Sequence, residues 1–283
     1  MPLNLKKAIV IVLLSVCFIW PASRGIAYVL PGLHILELVS QNFRNSKRLL
    51  VSQKLNLYND LQENGVELLE TLRYVFPETF RADILTENVQ RIHVLSGGTA
   101  LTIIDGRVAA AAETRYDDYK DIILFNSRPL LEKRLALHGV DATISSLGRL
   151  DGRPVLVLGA QYPDETIPQV WIDKDTFLPL RWIVTPKTDD IHDDSLEILY
   201  FDWRKVQQIW YPFHIKFIKN ETLVREIIVL NVEANPSFSK DLFNISLLKS
   251  NCLPATTGKP DAEDTEELNE VKKTIDQFKR IYE

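Results

Sequence analysis

The sequence predicts a mainly β (α+β) protein, in which a long antiparallel meander follows one N-terminal helix and is interrupted once by a helical insert. Apolar and polar residues alternate over most of the segment 47–233, which is the period of a half-buried strand. Turn pairs such as Asp105-Gly106 and Asp151-Gly152 separate the alternating runs, and Asp-Gly between apolar runs is a strong hairpin signal. The spacing is helical instead over 33–43 and about 117–138.

Composition places the chain among ordinary globular proteins. Of its 283 residues, 46% are hydrophobic and 25% are charged, which excludes a disordered chain, a collagen-like repeat and a multi-span membrane protein. The formal net charge of −5 argues against a nucleic-acid partner held by bulk basicity. Composition alone does not define a function.

The first 27 residues predict export. Two lysines precede an apolar run from Ala8 to Trp20, which is too short for a membrane-spanning helix and typical of a signal-peptide core. Gly25 and Ala27 are the small residues required before a cleavage at Tyr28. We therefore interpret residues 1–27 as a cleaved secretory signal peptide and expect a periplasmic protein. The alternative is an uncleaved membrane anchor.

The predicted mature chain cannot form an internal disulfide, because it has one cysteine. Removing 1–27 changes the formal charge from −5 to −8 and leaves Cys252 as the one cysteine. An exported protein with a single thiol depends on its apolar core, and a chain of this length is large enough to build one. Lipidation of Cys17 is disfavoured because the branched Val16 precedes it.

Each element follows from its local pattern. Pro31-Gly32 precedes the first helix, whose apolar residues from Leu33 to Phe43 recur at helical spacing, and His138-Gly139 ends the insert as a helix C-cap. The alternating runs predict strands that begin at 47, 68, 80, 89, 101 and 108, and, after the insert, strands at about 141–150, 154–161, 168–173, 178–185, 195–203, 211–219 and 223–233.

The sequence of the C-terminal region predicts a linker followed by a helix. Residues 251–260 are rich in Pro, Thr and Gly, as in a linker. Over 261–283 the apolar residues recur at spacings of three and four, and acidic residues come early and basic residues late, which favours a terminal amphipathic helix. The apolar positions are Leu268, Val271, Ile275, Phe278 and Ile281.

The sequence contains no motif that predicts catalysis. The five histidines form neither an HExxH nor an HxH pair, and GxSxG, GxGxxG, Walker-type and CxxC motifs are missing from the sequence. We therefore predict a non-enzymatic protein with no catalytic residue, no metal site and no cofactor. The acidic cluster Asp189–Asp194 lacks the spacing and glycine of a calcium loop, so we interpret it as a solvated hairpin loop.

An apolar and aromatic sheet face is the strongest functional feature. Such a face must be covered by helices or by a ligand, so the alternatives are a plain core and a cavity that takes acyl chains or lipidated segments. The predicted cavity residues alternate with polar neighbours, and they are Leu55, Leu57, Leu72, Tyr74, Phe80, Leu180, Trp182, Phe213 and Phe217.

Three stretches resemble the periplasmic lipoprotein-carrier (LolA/LolB) superfamily and the related RseB-type regulators of sigma factors. They are GRPVLVL at 152–158, VWIDKDTFLPLR at 170–181 and LFNI at 242–245. The resemblance implies a domain over 28–250, built as an incomplete antiparallel β-barrel of about eleven strands. In such a domain an N-terminal helix and a helical insert cover the concave face.

The resemblance also implies a function. The family's carriers hold the acyl chains of lipoproteins during outer-membrane lipoprotein sorting, without ATP, and a strand arginine keeps the closed form; Arg73 and Arg81 are both candidates here. We expect a monomer whose partners are lipoprotein acyl chains or another lipid, with inner- or outer-membrane proteins. The alternatives are a regulator that grips a protein partner through the terminal helix and, third, an esterase-like enzyme acting on lipids.

Overall fold

The computed structural model describes residues 29–59, 62–86, 89–184 and 195–252. The predicted signal peptide, the acidic loop within 185–194 and the predicted helix over 261–283 lie outside the described residues. The statements that follow concern the described part of the chain.

Thirteen antiparallel strands form one sheet, one for each of the thirteen alternating runs in the sequence and two more than the resemblance implies. Their order in the sheet is β6-β5-β4-β3-β2-β1-β13-β12-β11-β10-β9-β8-β7. The strands are β1 (Arg48–Asn59), β2 (Gln62–Val75), β3 (Thr79–Leu85), β4 (Gln90–Ser96), β5 (Thr99–Ile104), β6 (Arg107–Ala110), β7 (Ser145–Leu150), β8 (Arg153–Leu158), β9 (Gln169–Asp173), β10 (Pro179–Val184), β11 (Leu196–Val206), β12 (Ile209–Lys219) and β13 (Thr222–Ala234).

The topology is two meanders that meet at the centre of the sheet. The chain runs outward from β1 to β6, crosses through the insert to the far edge at β7, and returns strand by strand until β13 pairs with β1, with Val51 opposite Val232. Within the described residues β6 and β7 are the two sheet edges, so the barrel is incomplete, as predicted. The turns at Asp105-Gly106 and Asp151-Gly152 have positive φ at both residues, as a type I′ hairpin requires.

Short helices fill the predicted helical regions. Pro129 in the first turn after Ser127 starts the last helix of the insert. The C-terminal helical turns were not predicted from the sequence. The helices are α1 (Gly32–Gln41), a 3₁₀ helix (Arg115–Lys120), α2 (Asp121–Leu124), α3 (Arg128–Leu137), a second 3₁₀ helix (Lys240–Phe243) and α4 (Ile245–Ser250).

Most of the buried apolar side chains of the sheet lie on one face, which we call the inner face. Residues of β1–β5 and β8–β13 on this face form a single core with α1 and with residues 113–138, which we call the helical insert. α1 packs against α3, so the two together form the layer that covers the inner face. The opposite, outer face carries a smaller apolar cluster around Trp171.

α1 approaches the chain before β7 so closely that glycine is required at its first residue. A Cβ atom on Gly32 would lie 2.2 Å from the carbonyl oxygen of Ala142 and 2.8 Å from a methyl carbon of Leu158. The backbone carbonyl has no room to retreat, so this contact fixes one end of α1 against the sheet.

Candidate functional site: the inner face and its helical insert

Seven of the nine predicted cavity residues lie on the inner face and are buried in the main core. Each is at most 4% exposed, because α1 and the helical insert pack against it. Their role in binding a ligand stays a prediction. The seven are Leu55, Leu57, Leu72, Tyr74, Phe80, Trp182 and Phe217.

The other two predicted residues have different surroundings. A β-bulge in β10 between Pro179 and Arg181 changes the side-chain alternation, so Leu180 packs against the outer-face cluster around Trp171. Phe213 is half-buried beside the main core, with the guanidinium of Arg204 4.3 Å from its ring centre. It therefore lies at the rim of the inner face.

Aromatic residues form the centre of the inner face. The hydroxyl groups of Tyr74 and Tyr211 are 3.0 Å apart and share a hydrogen bond, although 137 residues separate them in the chain. The ring of Phe80 meets that of Tyr74 edge-to-face, with centroids 4.9 Å apart. Burial raises the pKa of the Tyr211 hydroxyl well above its ordinary value, so the pair stays neutral and acts as a satisfied polar contact within an apolar surface.

A polar patch interrupts this apolar face, and it was missed in the sequence analysis. Gln53 donates a 2.7 Å hydrogen bond to Glu70, and Arg91 lies 3.8 Å from the same carboxylate. All three side chains are buried. Burial raises the pKa of Glu70, and Arg91 opposes that shift. The sequence did contain one sign of this patch, because Glu70 interrupts the apolar side of β2 between Leu68 and Leu72.

The patch faces the helical insert and joins it to the sheet. Arg91 lies 3.5 Å from Asp117 of the insert, and the guanidinium of Arg225 stacks 4.3 Å from the ring centre of Tyr116. Burial alone would raise the pKa of Asp117, but His93, Arg91 and Lys120 surround the carboxylate and hold the pKa well below its ordinary range. Asp117 is therefore an anion between the sheet and the insert.

A second group of charges lies within the insert itself. The ammonium of Lys120 contacts Glu113 at 2.5 Å and Asp121 at 3.1 Å, and Arg134 contacts the same two carboxylates at 2.7 and 2.5 Å. Burial acts to lower the pKa of Lys120, but Asp121 and Glu113 outweigh it and raise the pKa above its ordinary value. These pairs connect the start of the insert to α3.

Asp118, Asp121 and His138 bring three ligand-type atoms within 4.8 Å of one another. Both oxygens of Asp121 are already held by cations, Lys120 at 3.1 Å and Arg134 at 2.5 Å, and these would repel a metal ion. Burial and the Asp121 carboxylate raise the pKa of Asp118 well above its ordinary value. The three residues therefore belong to the ion-pair network of the insert and do not fit a metal site.

The two strand arginines singled out from the sequence do not face the insert. Arg73 and Arg81 both pair with Asp83, on the face opposite Phe80. Arg81 also donates a 2.8 Å hydrogen bond to the carbonyl oxygen of Leu242 on the outer face. Arg91 and Arg225 are strand arginines that do contact the insert. They are therefore better placed than Arg73 or Arg81 to keep the insert in the closed form.

His93 makes the stability of this site depend on pH. Its side chain is fully buried, with Nδ1 2.8 Å from the hydroxyl of Thr102. Burial lowers the pKa of His93 from 6.5 to about 4, so between those values the unfolded chain binds a proton that the folded chain does not. Stability that is present above pH 6.5 is therefore lost as the pH falls toward 4, by about 3 kcal/mol.

The substitution His93→Asn is expected to remove that pH-dependent loss, because asparagine keeps a hydrogen-bonding group near Thr102 and does not titrate. Urea unfolding at pH 7 and pH 4.5 measures the difference. His34→Asn is the matched control, because His34 is exposed on α1, and it should keep the wild-type pH slope. An unchanged slope in the His93 variant would mean that another group is responsible.

Comparison with solved structures identifies the fold. The fold resembles crystal structures of an outer membrane lipoprotein-sorting protein domain from Vibrio parahaemolyticus (12% identity, TM-score 0.56) and of a LolA superfamily protein from Nitrosomonas europaea (10% identity, TM-score 0.52). It also resembles a DUF1329 family protein from Desulfovibrio piger (14%, 0.54). Each match covers 77% of this chain and 97–99% of the other chain.

The chain therefore has the LolA-superfamily fold, and the predicted resemblance is confirmed at the level of the fold. No protein-family model and no curated protein sequence matches it. Among the described residues, the helices are all too short or too polar to traverse a lipid bilayer.

Proposed function

We propose that this protein is a non-enzymatic periplasmic carrier that shields acyl chains, of lipoproteins or of another lipid, on its inner face. The observation that supports the proposal most is the nature of that face. Apart from the polar patch at Gln53, Glu70 and Arg91, it is apolar from β5 around to β8. Short helices cover it, where a closed barrel or a second sheet would provide a permanent partner.

The energetics favour such a ligand. An acyl chain of about 15 methylenes, at about 0.8 kcal/mol each, gains roughly 12 kcal/mol when it leaves water. The inner face offers the leucine and aromatic side chains that this transfer requires, and we propose the nine predicted residues, Leu180 excepted, as its lining. Leu180 is excepted because it packs on the outer face.

Loading would require the helical insert to move, because its side chains occupy the inner face. The charges of the insert are arranged for this. Lys120 and Arg134 pair with Glu113 and Asp121, all within the insert, so these pairs survive if it moves as a unit. A longer ionic contact, Arg91–Asp117 at 3.5 Å, links the insert to the sheet. We propose this contact as the point at which the insert releases.

We also propose the domain organisation predicted from the sequence. Residues 1–27 would be the signal peptide, 28–250 the carrier domain, 251–260 a linker and 261–283 a terminal amphipathic helix. Export to the periplasm rests on the signal peptide, and N-terminal sequencing of the secreted protein tests it directly, with Tyr28 as the expected first residue.

The carrier function is tested on residues 28–283 purified from the periplasm of its own host without detergent. Native mass spectrometry followed by organic extraction should reveal an acylated polypeptide or a lipid at near-unit stoichiometry. A ligand-free mass together with a co-purifying membrane-protein fragment would contradict the carrier and support the regulator. Turnover of acyl esters by the purified protein would revive the esterase-like alternative.

Two tryptophan substitutions on β2 test which face of the sheet binds the ligand. Leu72→Trp adds bulk to the inner face, whereas Leu69→Trp adds the same bulk to the exposed outer face of β2. We expect the first variant to bind a fluorescent fatty acid at least tenfold more weakly and the second to bind it as the wild type does. Circular dichroism confirms folding, since overpacking costs about 1–3 kcal/mol. Equal binding by both variants would contradict the inner-face site.

A further inference from the structure

A row of side chains in which apolar and polar residues alternate crosses the outer face of the sheet, and its apolar members are exposed. The strand register aligns Leu69, Lys54, Ile228, His214 and Phe201 on five neighbouring strands, β2, β1, β13, β12 and β11. The exposed fractions are 59% for Leu69, 39% for Ile228 and 42% for Phe201. Leu230, beside this row at the β-bulge of β13, is 51% exposed. We call these residues the outer row.

The same face is covered on the neighbouring strands, and by the chain's own C-terminal region. After β13 the chain crosses the outer face, and the 3₁₀ helix Lys240–Phe243 contacts β3 and β4. Arg81 is buried there and donates a 2.8 Å hydrogen bond to the Leu242 carbonyl, and Val94 is fully buried. The segment up to residue 252 therefore already packs on this face, and it stops short of the outer row.

We propose that the outer row is the docking surface for residues 261–282 of the same chain, bound as the amphipathic helix that the sequence predicts. The apolar positions of that segment, from Leu268 to Ile281, would lie across the strands on the outer row. Two observations favour this occupant. The chain is on the outer face at residue 252, and 31 residues of the sequence follow that point.

The dimensions of the two surfaces agree. The outer row crosses four strand-to-strand spacings of about 4.8 Å, which is about 19 Å. In a helix, the 13-residue interval from Leu268 to Ile281 spans about 20 Å at about 1.5 Å per residue. The apolar stripe of the helix is therefore as long as the outer row, from Leu69 at one end to Phe201 at the other.

The linker is long enough to make the connection. Lys249 lies beside Ser96 at the end of β4, four strands from β13, which is about 19 Å. The strand register puts the row about six residues from Ser96 along the strands, which is about 20 Å. The direct distance is therefore about 28 Å. Residues 253–260 extend to about 27 Å, and the first turn of the helix supplies the remainder.

The proposal predicts a specific cross-link in the full chain of residues 28–283. In a Cys252→Ser background, Ile228→Cys is placed at the centre of the row. It is combined with Ile275→Cys on the apolar side of the tail or with Lys273→Cys, about 200° away around a helix. Under mild copper-phenanthroline oxidation, we expect at least fivefold more intramolecular disulfide for the first pair than for the second.

A second sheet position tests whether the outer row is the site. Leu147→Cys on β7 is similarly exposed, at 41%, and lies at the far edge of the sheet. Its combination with Ile275→Cys should give no more cross-link than the Lys273 control. Equal cross-linking of all the pairs would overturn the proposal. Disulfides formed only between molecules would also overturn it, in favour of a second copy as the occupant. No step depends on lipid binding, so the result is independent of the proposed carrier function.

Discussion

Replacing Lys120 by methionine is expected to lower the free energy of unfolding by about 3–5 kcal/mol, the cost of removing one partner from a buried ionic network. The ammonium is fully buried and contacts Glu113, Asp121 and the carbonyl oxygen of Asp117. Methionine fills a similar volume but leaves Glu113 without its nearest cation and Asp121 without the second of its two. Urea unfolding monitored by circular dichroism measures the loss.

Lys174→Met is the matched control for this substitution. Lys174 forms an ion pair of similar length, 3.0 Å to Asp175, but in an exposed turn. Exposed pairs contribute about 0–1 kcal/mol, so the control should unfold close to the wild-type midpoint. If the two variants lose the same stability, the network around Lys120 does not hold the insert, and the proposed mode of release fails with it.

The architecture was readable from the sequence because strands and tight turns are coded locally. Leu55 and Leu57 share a face by the period of two, and the structure buries both. Asp105-Gly106 predicts its hairpin because both residues tolerate positive φ. The thirteen alternating runs also predicted the number of strands, including the short strand Arg107–Ala110, which follows the Asp105-Gly106 turn. The lower figure of about eleven came from the resemblance alone.

Two features of the candidate site could not be predicted from the sequence, each for its own reason. The position of Leu180 depends on a β-bulge, and a bulge shifts the alternation without a change in composition. The polar patch depends on contacts between residues distant in the chain, such as Arg91 and Asp117, which no spacing rule connects. A charged residue within an apolar alternation, as at Glu70, was the one local sign of it.

Trp182→Ala is the second substitution expected to have a large effect, again about 3–5 kcal/mol, because it removes the largest kind of side chain from a closed core. Trp182 is fully buried in β10, and the ring of His138 from the insert meets it edge-on at 5.4 Å. Trp210→Ala, at a partly buried position beside the same core, is the control and should cost no more than half as much. An equal loss in both would show that Trp182 is not a principal contact between sheet and insert.

The two large-effect variants should differ in lipid binding although they lose similar stability. If the insert and an acyl chain compete for the inner face, Lys120→Met weakens only the competitor, since Lys120 belongs to the insert. The fraction of protein able to bind then rises, and the affinity for a fluorescent fatty acid should increase at least tenfold. Trp182→Ala removes an indole that both the insert and a bound acyl chain would contact. It weakens both competitors, so the affinity of this variant for the fatty acid should change by less than threefold. Parallel changes in the two variants would mean that binding follows global stability, and that insert and ligand do not compete for one surface.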